Sequence, residues 1–256
     1  MKTHLRYSII AVVLCVMLFS TVGTTSSTHN YPQKTEDPGS YLLQKAQKNR
    51  IVLVGTHHKN ISIHNLIINT LPSLVSTAQM NTLFVEIPSS QQKAIDLFCE
   101  GKAGVETIGV CTIIASDSYR QILLKARELG MDIVAMDAEV PNRITRDEWM
   151  SLRVIEYMED HPGAKGLVIV GKRHVLKDIQ WRHTTEPSLA DYLKEYGVCS
   201  IITWPEALDN IHPVAMDVDP FYFEGVKDPT LMVMNTDDKV SLSTAADGVI
   251  LMPKSQ

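Results

Sequence analysis

The 256-residue chain has only four cysteines, at positions 15, 99, 111 and 199, and no two of them form a Cys-x-x-Cys pair. Thiolate zinc centres and thioredoxin-type redox chemistry are therefore disfavoured. Gly-x-Gly-x-x-Gly and Walker sequences are missing, so nothing anchors a nucleotide phosphate. Gly-x-Ser-x-Gly is missing too, which speaks against a serine nucleophile on an elbow turn. So is the His-Glu-x-x-His helix of one zinc-hydrolase class. There is no basic cluster, and the formal net charge is −5, which argues against a nucleic-acid partner. No repeat of solenoid period is visible. Apolar residues make up 45% and charged residues 21%, ordinary fractions that indicate neither disorder nor a fibrous class.

What is present begins with the N-terminus. Lys2 and Arg6 precede an apolar run over residues 9–19, followed by the small residues Ser20, Thr21, Gly23 and Thr24. This is the order of a secretory signal peptide, assigned to residues 1–27. The apolar run is short for a membrane span. Cys15 follows Leu14 where a lipoprotein signal has a small residue, which disfavours lipidation. Residues 28–47 are expected to be a flexible leader, and residues 48–256 the folded domain. Cleavage takes away two basic residues and no acid, leaving a net charge of about −7. The expected location is periplasmic or secreted, with no membrane association after cleavage. Export permits a disulfide. Cys99 and Cys111 flank the Gly-rich stretch 100–104 and could meet, a bridge worth roughly 3 kcal/mol. Cys199 reads as a buried thiol.

Strand and helix patterns alternate through the domain. Apolar runs at 51–54, 82–86, 132–136, 167–170 and 198–203 read as strands. Helical spacing covers 64–79 (interrupted by Pro72), 91–98, 118–129, 145–160 and 188–196. Thr145 with Glu148 forms a capping-box pattern, and Gly130 and Gly197 mark helix ends. The expected fold is a single α/β domain with a mainly parallel sheet covered by helices. An irregular C-terminal extension adds one or two strands, from residues 231–234 and 248–252. Residues 210–227 read as a long loop over the crevice.

Two signatures match. Ile51-Val52-Leu53-Val54-Gly55-Thr56-His57-His58 and Leu167-Val168-Ile169-Val170-Gly171-Lys172-Arg173-His174 are both apolar runs ending in Gly-x-x-His. Ligands of open parallel sheets lie beyond the carboxyl ends of the strands, so two such strands aim His58 and His174 into one crevice. Glu86 ends another strand at the same rim. Two histidines and a carboxylate form a ligand set for a divalent metal such as Zn, Mn, Co or Fe. His57 either orients substrate or is solvated. His64 either lines the crevice or lies on the surface. Asp137 and Glu139 bring more acid to the rim, as partners for a histidine, a general base or solvated loop residues. Arg146 either clamps a carboxylate, stabilises an oxyanion or is solvent-exposed, with Asp147 beside it favouring the helix N-terminus. Lys172 and Arg173 favour an anionic or carbonyl substrate, or are solvated loop residues.

In this order, Val54-Gly55-Thr56-His57-His58, Phe84-Val85-Glu86, Arg146-Asp147-x-x-Met150, Val170-Gly171-x-x-His174 and the closing Ala246-Asp247-Gly248-Val249-Ile250-Leu251-Met252-Pro253 resemble the superfamily of TIKI, TraB/GumN, erythromycin-esterase and ChaN proteins. The resemblance runs from about Ile51 to Pro253. It implies an α/β core with a site built from the two Gly-x-x-His motifs and the glutamate. TIKI-like members are metal-dependent peptidases, esterase-like members are hydrolases with no obligatory metal, and ChaN-like members bind haem. The expectation is an exported hydrolase acting on a peptide or small-molecule substrate. His58, Glu86 and His174 would hold a metal, Arg146 would stabilise the oxyanion, and Asp137 or His57 would assist proton transfer. The alternative is a haem- or iron-binding protein without catalysis. A homodimer is left open.

Overall fold

The computed structural model describes residues 36–109, 116–139, 144–178, 186–208, 212–218 and 245–253. The signal peptide, Cys111 and its bridge to Cys99, Arg143 and the strand expected at 231–234 lie outside the described residues.

Seven strands form one sheet: β1 (Ile51–Thr56), β2 (Thr82–Pro88), β3 (Asp132–Asp137), β4 (Gly166–Gly171), β5 (Val198–Leu208), β6 (Val214–Asp217) and β7 (Gly248–Pro253). Their order is β3-β2-β4-β1-β5-β7-β6. All neighbours pair parallel except β6 and β7. β7 is the strand expected at 248–252, and β6 is an additional strand. β6 falls within the segment expected to be a loop, because its pairing partner, β7, is more than thirty residues away in sequence.

Six α-helices flank the sheet among the described residues: α1 (Pro38–Lys48), α2 (Ile61–Ala78), α3 (Gln92–Cys99), α4 (Asp117–Glu128), α5 (Arg146–Asp160) and α6 (Leu189–Leu193). Alternation along the strands sorts the core into two layers. Val52, Val54, Leu83 and Val85 pack with Tyr41, Ile67, Phe98 and Ile122 of α1–α4. Ile51, Leu53, Phe84 and Val168 pack with Met150, Val154 and Leu189 of α5 and α6. Strands buried on both faces explain why their sequences are continuous apolar runs rather than alternating ones.

α1 corrects the expected leader, which was to extend to residue 47. Pro38 occupies the first turn, Asp37 is the N-cap, and its Oδ2 accepts from the Ser40 N–H at 2.9 Å. Buried Tyr41 and Leu42 then fix the helix to the core. α2 also continues through Pro72. The Thr145 side chain caps α5 by accepting from the Glu148 N–H at 3.1 Å. Arg50, just before β1, donates to the carbonyls of Met158, His161 and Ala164, joining β1 to the end of α5.

Candidate functional site

The four strands β3, β2, β4 and β1 lie side by side, and each ends at the same rim with a polar group. Asp137 closes β3 and Glu86 lies near the end of β2. His174 sits on the single 3-10 turn Lys172–Val175 that follows β4. His58 stands two residues beyond β1. Sheet order therefore gathers residues up to 116 positions apart into one row.

Glu86 is the hub, with 2% of its surface exposed. Its Oε1 accepts from Arg146 Nη2 at 2.5 Å, and its Oε2 accepts from the Gly171 N–H at 2.6 Å. His58 Nε2 stands 3.7 Å from Oε2, and His174 Nε2 stands 3.6 Å from Oε1. Arg146 also donates from Nε and Nη2 to the two oxygens of Asp137, at 2.7 and 2.8 Å. The Ala138 N–H closes the Asp137 turn at 2.8 Å. His174 Nδ1 makes a short hydrogen bond with Asp147 Oδ1. A planar guanidinium thus bridges two buried carboxylates, and the neighbouring residue on α5 holds the buried histidine.

The electrostatics follow from these contacts. Burial pushes the Glu86 carboxyl up, but His174, Arg146 and His58 together outweigh it and hold the pKa at about 2. Burial alone would lower His174. The bond to Asp147 and the nearby Glu86 prevail and raise it. His58 is lowered, chiefly by burial, although Glu86 pulls the other way. Arg146 is held charged, first by its bond to Asp137. The result is an uncharged, half-exposed His58 against an ionised network.

Each motif glycine makes room for the other motif. A Cβ on Gly55 would lie 2.4 Å from Val175 Cγ2 and 3.1 Å from the Lys172 Cα. A Cβ on Gly171 would lie 3.1 Å from His58 Nε2. The Thr203 hydroxyl donates to the Gly55 carbonyl at 2.7 Å, and Thr56 Oγ1 donates to the Val170 carbonyl at 3.3 Å, stitching the rim together.

The structure thus brings His58, Glu86, Asp137, Arg146 and His174 together. His57 is exposed beside them, and its charge contributes to lowering the pKa of His58. Glu139 is turned to the Ser90 N–H at 2.8 Å. His64 is fully buried, which rules out the surface reading. Its Nδ1 lies 2.6 Å from Ser118 Oγ, its ring packs edge-on against Tyr119, and burial lowers its pKa to about 4. Sequence reasoning missed the bond between Asp147 and His174, because an acid in a first helical turn is already explained by the helix dipole.

The three expected metal ligands are neighbours, but the residues do not fit a metal as they stand. Both Glu86 oxygens are engaged, and a guanidinium occupies the position beside Oε1. Among the described residues no group of three or more His, Cys, Asp or Glu side chains is arranged to hold a metal ion.

No protein-family model and no curated protein matches the chain. Solved structures do share its fold. A succinoglycan biosynthesis protein superposes with a TM-score of 0.63 at 9% identity, covering 84% of this chain and 90% of that one. A mutant of the erythromycin esterase EreC in its open conformation gives 0.60 at 11% identity, covering 85% and 93%. The haem-binding ChaN of Campylobacter jejuni gives 0.50 at 11% identity, covering 82% and 90%. The chain therefore shares its fold with these proteins.

Proposed function

We propose that the chain is an ester or amide hydrolase in which His58 is the general base. The observation that carries this reading is an uncharged, half-exposed imidazole beside a carboxylate whose two oxygens are already held by Arg146 and Gly171. A lowered pKa leaves His58 a lone pair at neutral pH, able to take a proton from a water as that water attacks a carbonyl. Arg146 is fixed by three bonds through Nε and Nη2. Its remaining Nη1 stabilises the oxygen that gains charge. Asp147, His174 and Glu86 position this pair, and Asp137 anchors Arg146. A divalent cation would have to displace Arg146 or sit against its charge, so the site works without one. The fold shared with an erythromycin esterase supports hydrolysis. The basic and apolar N-terminal sequence supports export.

The test is hydrolysis of aryl-ester and peptide panels by protein dialysed against a chelator. Activity should survive chelation, and His58→Asn should lower kcat by about 10²–10⁴-fold. The pH–rate profile should rise with its midpoint below the ordinary imidazole value, as burial of His58 requires. Activity lost on chelation and restored by Zn, Mn, Co or Fe would replace this mechanism with a metal held by His58, Glu86 and His174. A Soret band on haem addition, lost in His58→Asn and accompanied by no hydrolysis, would replace it with haem binding.

A further inference from the structure

The described carboxylates of the site row are committed. Glu86 and Asp137 are held by Arg146, Asp147 by His174, and Glu139 by the Ser90 N–H. One arginine beside them is not. Arg50 and Arg127 donate to carbonyl oxygens, and Arg120, Arg146 and Arg153 to carboxylates. Among the described residues Arg173 is the one arginine whose guanidinium reaches no oxygen. Its hydrogen bond among the described residues runs from Nε to His174 Nε2 at 3.3 Å. Arg173 is exposed, and it lies inside the second Gly-x-x-His, one residue from His174 and on the turn that packs against Gly55. Lys59 is exposed just beyond His58.

We infer that Arg173 is the residue that selects the substrate, and that it takes an oxyanion group carried near the scissile carbonyl. Resting on the hydrolase reading, this makes the substrate class an ester or amide of an anionic acyl or leaving group. A guanidinium tethered through Nε keeps its two outer nitrogens for a planar two-oxygen partner, the geometry in which arginine outperforms lysine. The contact to His174 ties that bound group to the buried row. Carboxylate and phosphate share this chemistry, and the choice between them is left to the test.

Two measurements separate this inference from the mechanism it rests on. The first is calorimetric titration of the whole protein with succinate and with inorganic phosphate. Binding of either one, weakened about 10–100-fold in Arg173→Gln and unchanged in Arg153→Gln on α5, supports the inference. The tighter of the two identifies the anion. The second compares the 4-nitrophenyl monoester of succinate with its methyl-capped neutral form. The wild type should prefer the anionic ester, Arg173→Gln should lower the ratio of the two kcat/KM values by the same factor, and Arg173→Glu should invert it. If neither ester is hydrolysed but anion binding still depends on Arg173, the hydrolase reading fails and the anion site stands. If neither anion binds, or if Arg173→Gln keeps both affinity and preference, the inference is overturned.

Discussion

Arg146 shows how much of this site rests on one side chain. Glu86 and Asp137 are buried, and each uses the same guanidinium as its counter-charge. Removing that charge leaves Asp137 desolvated without its guanidinium and Glu86 dependent on the His174 and His58 imidazoles alone, which is worse than never having buried the carboxylates. Arg146→Met should therefore cost about 3 kcal/mol or more in urea unfolding, and Glu86→Gln/Arg146→Met should recover part of it. A loss below about 1 kcal/mol would mean that water already screens the pair. His174 and Asp147 are organised by the same rule, with the carboxylate selecting which ring nitrogen carries the proton.

At the scale of elements, the two Gly-x-x-His segments behave as one unit. Gly55→Ala sets a methyl against Val175 and the Lys172 backbone, an overpacking that should cost about 1–3 kcal/mol. Val175→Ala should offset part of that loss in a double-mutant cycle. Gly171→Ala asks only a few tenths of an ångström from the His58 ring. It should lower kcat with little change in melting temperature. Equal stability losses in the two variants would contradict this division. Most element positions were legible in the sequence, because buried parallel strands are short apolar runs and the helix ends carry caps such as Thr145, Gly130 and Gly197. The His58, Glu86 and His174 row was legible from strand ends alone. α1 was not recognised, although Asp37 followed by Pro38 is an N-cap and first-turn pair that could have revealed it. The burial of His64 was not legible, since it depends on α4 packing over α2. Nor was the fork from Arg146 to Glu86, which is set by β2 and β3 lying side by side.

For the whole molecule, the buried charges make stability depend on pH in a definite direction. The Glu86 pKa is near 2 in the folded state and near 4.5 when unperturbed. A depressed carboxylate stabilises fully above its unfolded value, and that contribution is lost as pH falls from about 4.5 towards about 2. It amounts to roughly 3 kcal/mol. His174 is raised, so its contribution is present below the ordinary value of 6.5 and is lost as pH climbs through the higher folded value. Stability should therefore decline on both sides of a mildly acidic optimum. Glu86→Gln should flatten the acid limb in chemical denaturation measured from pH 7 to pH 3. An acid limb of unchanged steepness in that variant would assign it to other groups.

The strand order has a last consequence, which concerns time rather than space. β1, β2 and β3 leave the ribosome before β4, yet β4 lies between β1 and β2. Ile51 and Thr82 both take Gly166 as their partner. Until that strand has been made, the first two have nothing between them, and neither Gly171 nor His174 exists to meet Glu86. The row of site residues is thus incomplete in every nascent fragment that ends before about residue 175.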